Sequence, residues 1–194
     1  MRDQHIRAAF HRSILAAAHK DTSTQVIDEL GLKNGEIRAD IAVLNGKMFG
    51  YEIKTDKDNL LRLSSQVAAY SDVFHQAYII SGERHLQKVM DKLPEWWGVY
   101  CIQLAEQNTI GFTLIRPAQK NMAQNPFTLA QLLWKEEVIN LLQQEYDCAA
   151  KISYTKRKLY DILVSQCEVD QLSEQVLSVI KKRQGWRTNP IQLL

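Results

Sequence analysis

Asp40, Glu52 and Lys54 are the residues of this chain whose types and spacing could do chemistry. Two convergent carboxylates suit Mg²⁺ or Mn²⁺, which take oxygen ligands from one or two acids and fill the remaining positions with water and substrate phosphate. The ion lowers the pKa of its bound water and offsets charge developing on the phosphorus oxygens. An ammonium beside it, here Lys54, orients that water or neutralises the phosphate. The chemistry would be metal-assisted attack on a phosphodiester.

Whether the carboxylates meet depends on the elements that carry them. Residues 38–55 hold two runs rich in β-branched and aromatic residues around Asn45-Gly46, the strongest short-range hairpin signal. Residues two apart on a strand share a face, so Glu52 and Lys54 point the same way. A two-residue Asn45-Gly46 loop pairs Leu44 with Lys47, sets Asp40 opposite Tyr51 and sends Glu52 to the other face. A three-residue loop of Leu44, Asn45 and Gly46 pairs Val43 with Lys47 and makes Asp40 and Glu52 diagonal neighbours on one face. A site therefore requires an odd-length or bulged hairpin.

Asp40 followed by Glu52-Ile53-Lys54 at the end of the next strand resembles the PD-(D/E)XK, or restriction-endonuclease-like, nuclease superfamily. Residues 58–74 read as an amphipathic helix, and within it Gln66-Val67-Ala68-Ala69-Tyr70 is similar to the Gln-x-x-x-Tyr signature of the RecB-like branch. The spacing puts Gln66 and Tyr70 on one helix face. Arg38-Ala39-Asp40, Gly50-Tyr51-Glu52-Ile53-Lys54 and Pro94-Glu95-Trp96-Trp97-Gly98 further resemble small bacterial and phage-borne members. The resemblance implies an α/β fold with an α-β-β-β-α-β core and a mixed sheet. It implies a Mg²⁺- or Mn²⁺-dependent deoxyribonuclease with Asp40 and Glu52 as ligands, Lys54 and Gln66 around the attacking water and Tyr70 in support. Glu29 is read either as an extra ligand leaning toward Asp40 or as a plain strand-end glutamate. Arg38 and Arg62 are candidate contacts to nucleic acid, with a surface arginine the alternative for Arg62. Some branches carry a metal-ligand His or Glu on the first helix; His11 is the counterpart here, set against an exposed histidine beside Arg12.

The remaining elements fit that order. Residues 1–19 read as a helix with Ile6, Phe10 and Ile14 on one stripe, residues 24–30 as a strand, residues 77–81 as a buried strand and residues 82–93 as a helix that Pro94 stops. Residues 96–102 and 111–115 read as a pair of strands around a Glu106-Gln107-Asn108 turn. Trp96 and Trp97 either stack on unpaired bases or close a core edge. Residues 1–118 are thus expected to form the α/β core and residues 119–194 a helical C-terminal region, with a long helix from Pro126 to about Ala150 and two short ones at 155–166 and 170–184.

Composition bounds the partners. Of 194 residues, 24 are Lys or Arg and 22 Asp or Glu, for a net charge of +2, so any nucleic-acid contact must come from a local basic face. Residues 151–194 hold eight Lys or Arg against four acids, a local +4. They suit either a helix-turn-helix-like pair on a phosphate backbone or a packed cap with solvated cations. Three scattered cysteines indicate neither a disulfide framework nor a zinc knuckle and point to a reducing cytosol. No stretch approaches the ~18 apolar residues of a membrane span. DNA is the expected partner, with self-association left open. A second class also stands: the same fold kept as a non-catalytic module that binds nucleic acid or a partner.

Overall fold

The computed structural model of the chain describes residues 3–104 and 109–184. Its β-branched and aromatic runs form six strands: β1 (Gln25–Leu32), β2 (Ile37–Asn45), β3 (Lys47–Lys54), β4 (Gln76–Gly82), β5 (Gly98–Leu104) and β6 (Ile110–Arg116). They join one mixed sheet in sequential order. β1 to β3 are an antiparallel meander, β4 lies parallel to β3 and β5 parallel to β4, and β6 returns antiparallel. The expected order of helix, three strands, helix, strand is present, with an added hairpin at the far edge. The turn expected at Glu106-Gln107-Asn108 lies outside the described residues.

The helices are α1 (Asp3–Arg12), α2 (Ala16–Lys20), α3 (Leu63–Val73), α4 (Glu83–Met90), α5 (Pro126–Ala130), α6 (Lys135–Tyr146), α7 (Lys156–Val164) and α8 (Val169–Lys181). Parallel strands need crossovers, and α3 and α4 supply them. Strand alternation then divides the core. Odd-numbered residues of β3, including Tyr51 and Ile53, join Ile6 and Phe10 of α1 in an aromatic core on one face. There Tyr51 stacks on Tyr78 at 5.2 Å, and Phe10 meets Tyr51, Tyr100 and Phe112 at 5.3, 5.6 and 5.0 Å. On the other face Met48 and Ala77 lie under α3 and α5 to α8 in a single larger core that includes Tyr70, Leu129, Leu142, Leu159, Tyr160 and Val176.

Three helices differ from the sequence expectation, each for a local polar reason. The first breaks after Arg12 because Ser13 Oγ bonds back to the Ala9 carbonyl at 2.8 Å while Leu15 turns into the core. The helix expected from Asp58 begins at Leu63, because Asp58 accepts from the Thr55 N–H at 2.7 Å and Asn59 from the Leu61 N–H at 3.2 Å, both side-chain turns. The long helix expected from Pro126 divides into α5 and α6. Asn125 caps the first by accepting from Thr128 N–H at 3.0 Å, and Trp134, in extended backbone, restarts the second with its N–H donated to Glu137 at 2.7 Å.

Gly50 of β3 lies against the ring of Phe74, the residue after α3, and a β-carbon there would overlap it. Gly50→Ala should therefore destabilise by about 2 kcal/mol, the usual cost of overpacking, and lower the melting temperature by roughly 4–8 °C. A calorimetric melt checks this, and an unchanged temperature would show that the close approach relaxes freely.

Candidate functional site

The turn between β2 and β3 is tighter than either expected loop. Asn45 pairs with Lys47 across Gly46 alone, which takes φ +61°, and Leu44 pairs with Met48. This has the parity of an odd loop, so Asp40 and Glu52 belong to the same face. Both paired ladders skip Asp40: β2 to β3 pairing runs only to Ile41 and Tyr51, and β1 to β2 pairing passes from Asp28 and Ile41 to Leu30 and Ala39. The opened backbone is satisfied by side chains. Asp40 Oδ2 accepts from the Ile53 N–H at 2.7 Å, and Arg7 Nη1 donates to the Asp40 carbonyl at 2.7 Å.

Arg7 then draws three acids together. Its Nη2 meets Glu29 at 2.7 Å, Asp40 Oδ1 at 3.0 Å and Asp3 at 3.2 Å, and its side chain is only 9% exposed. Glu29 reaches this position through left-handed backbone, φ 59°, within a strand. Sequence reading allowed Glu29 to lean toward Asp40; its ion-pair partner is Arg7. No local pattern marked Arg7, which lies one residue beyond the Ile6 and Phe10 stripe, and only the fold brings Glu29 and Asp40 to it.

Glu52 is 1% exposed. Lys54 Nζ donates to its Oε1 at 2.5 Å, Gln66 Nε2 to the same oxygen, and the Tyr70 hydroxyl to Oε2 at 2.6 Å. The Asp40 N–H in turn donates to the Tyr70 oxygen at 3.2 Å. Thus Asp40, Glu52, Lys54, Gln66 and Tyr70 converge, with α3 presenting Gln66 and Tyr70 from one face. Arg38 and Arg62 are exposed at the rim of a cleft of about 650 Å³ over this network. Six carboxylates and three cations line that cleft (Asp3, Glu29, Glu36, Asp40, Glu52 and Asp58 against Arg38, Lys54 and Arg62).

The donor set is matched from within the protein. Arg7 meets Asp40 Oδ1 and Lys54 meets Glu52 Oε1, while Asp40 Oδ2 and Glu52 Oε2 take the Ile53 N–H and the Tyr70 hydroxyl. Among the described residues no group of three or more His, Cys, Asp and Glu side chains is arranged to hold a metal. His11 lies away from the cleft. It is buried, not exposed beside Arg12, with Nε2 3.0 Å from Asp28 and Nδ1 2.8 Å from His19. Trp97 is fully buried, its ring 5.3 Å from that of Tyr70, and Trp96 is half-buried against it, so this pair closes the core. Gly185, Trp186 and Arg187 lie outside the described residues.

Burial, and then the charge of Glu52, push Asp40 up to about 7, against the opposing pull of the Ile53 N–H and Arg7. Burial likewise raises Glu52, against Lys54 and its other donors. Folded, Asp40 keeps its proton up to about pH 7, whereas unfolded it releases it near 3.8. Stability therefore falls as pH rises through that window, where the native state binds the extra proton. Urea midpoints measured from about pH 5 to about pH 8 should decline, and Asp40→Asn should flatten the decline; a rising midpoint would contradict a proton retained by folded Asp40. Arg7→Met should cost about 3–5 kcal/mol in the same assay by leaving its carboxylates without their cation, and a loss below about 1 kcal/mol would show that the knot is dispensable.

Comparisons with known proteins place the chain. A family model described as bacteriophage P4 protein cII matches residues 1–190. Protein cII of Enterobacteria phage P4 is 26% identical over 183 residues, covering 94% of this chain and 68% of that protein. No solved structure matches. These findings support a phage origin and overturn the family drawn from the Asp40, Glu52-x-Lys54 and Gln66-x-x-x-Tyr70 pattern. With it go the nuclease, hydrolase and deoxyribonuclease readings that the PD-(D/E)XK resemblance implied. Five residue types at permissive spacing are compatible with another family, and in this chain they form one hydrogen-bonded network. The chain belongs to the bacteriophage P4 protein cII family.

Proposed function

We propose that this protein is a non-catalytic module that binds nucleic acid through its C-terminal helical layer. One observation carries the reading: Lys151, Lys156, Arg157 and Lys158 are all exposed, and the last three occupy the first turn of α7, which holds no acid. A helix N-terminus already bears partial positive charge, so cations there oppose the dipole and cost stability. What they create is a positive field aimed at solvent, suited to phosphate. Within residues 151–184 there are seven Lys or Arg and four Asp or Glu, a balance of 7 − 4 = +3. Even without Asp40 and Glu52, whose protons burial retains, the acids Asp3, Glu29, Glu36 and Asp58 lining the cleft outnumber Arg38, Lys54 and Arg62, so the two arginines at its rim are poor anchors. Among the described residues no helix is long and apolar enough to cross a membrane.

The test is duplex DNA binding, followed by fluorescence anisotropy across a salt series. Each phosphate contact adds about 0.9 to the slope of log affinity against log salt, so replacing Lys156, Arg157 and Lys158 together by Glu should lower the slope by about 3. Glutamates at those positions favour α7, which separates lost binding from lost folding. Arg62→Ala should leave the slope unchanged. Equal slopes for the wild type and the triple variant would refute this surface.

A further inference from the structure

Trp134 is 56% exposed, unlike the buried Trp97, and it sits where the two basic stretches of the C-terminal region meet. A groove of about 280 Å³ on one side of it is shared with Lys156 at the start of α7. A second, of about 540 Å³, is shared with Lys182 at the end of α8. The sequence separates these cations by two helices and a turn; the fold sets both in grooves beside one indole.

The ring is held, not loose. The Arg183 guanidinium lies over it at 4.3 Å, and Arg183 is itself fixed by Glu137, with Nε to Oε1 at 2.6 Å, and by the Leu132 carbonyl at 2.7 Å. The backbone N–H of Trp134 is donated to Glu137 at the start of α6, which fixes the main chain that carries the indole. One guanidinium, one carboxylate and one indole thus form a preorganised platform whose side chain has few freedoms left to lose on binding. The larger groove contains a further acid, Glu145, besides the Glu137 that Arg183 occupies.

Resting on the nucleic-acid reading above, we infer that Trp134 is a stacking platform for an unpaired base, with Lys156 and Lys182 meeting the flanking phosphates. The ligand class is then single-stranded nucleic acid. An exposed indole between cations offers a π-face to any base, whereas paired bases keep their faces in the stack and show this surface only their backbone.

The full chain is titrated into a fluorescein-labelled ~20-nucleotide mixed-sequence single strand and into its duplex, followed by anisotropy, with thermal melts of every variant. The single strand should bind more tightly. Trp134→Ala should weaken it by about 5- to 150-fold and change duplex affinity by less than about twofold, and Trp134→Phe should restore part of the loss. Trp134→Ala without effect on the single strand, or equal loss on both ligands, overturns the stacking role. If the α7 triple variant loses affinity while Trp134→Ala does not, the basic surface stands and the platform falls. If neither ligand binds the wild type, both fall. Should Trp134→Ala melt early, Lys182→Glu with unchanged single-strand affinity also overturns the inference.

Discussion

The geometry of this protein turns on the contact of Arg7 with Asp40. At that residue the sheet gives up two successive pairings, and an opened ladder inside a protein leaves backbone groups that must find partners. Asp40 answers one with its own carboxylate on the Ile53 N–H, and Arg7 answers the other by taking the Asp40 carbonyl. Because Arg7 comes from α1, the same contact pins the first helix to the sheet. It also gathers Asp3, Glu29 and Asp40, which would otherwise repel one another across a few ångströms. A sheet distortion, a helix position and a charge cluster are thus one solution to one unsatisfied strand end.

Glu52 extends that knot into α3. A carboxylate in the core is tolerable only when its oxygens are filled, and Lys54, Gln66 and Tyr70 fill them. The network therefore fixes β3 against α3 and sets the register of the first crossover. The same arrangement explains why a pattern suited to metal chemistry sits comfortably in a family matched on other grounds. Arg7 is shared by Asp3, Glu29 and Asp40, and Lys54 meets Glu52, so these residues tie α1, β1, β2 and β3 together.

The helical layer shows how charge and burial divide the work on the other side. Its apolar stripes merge with those of α3 and the sheet, so the C-terminal region is continuous with the core. Tyr160 of α7 anchors it by donating toward Asn34 and the Leu133 carbonyl, each at 3.1 Å, where Asn34 holds left-handed backbone beyond β1. With the apolar side used for packing, Lys156, Arg157 and Lys158 of α7 and Lys182 after α8 are left exposed, Lys156 and Lys182 in the grooves beside Trp134.

Much of the fold was legible in the sequence. Strand-like runs, the Asn45-Gly46 turn, the Pro94 stop and the amphipathic pattern of residues 58–74 determined the strands, most of the helices and their order, because these signals depend on neighbours in the chain. The Gln66 to Tyr70 spacing likewise put both side chains on one face, and both reach Glu52. Helix limits were misjudged at Ser13, Asp58 and Trp134, where local side-chain hydrogen bonds to the backbone interrupt the helical pattern, a choice that depends on whether the chain beyond them is buried. Family and function went further astray, since Asp40, Glu52 and Lys54 look the same in sequence whether a metal or a protein cation faces them. Arg7, the left-handed Glu29 and the exposure of Trp134 became visible only in three dimensions. Which charges neutralise one another, and which are left to meet a partner, is decided by distances between residues far apart in the chain, and local spacing carries no record of those distances.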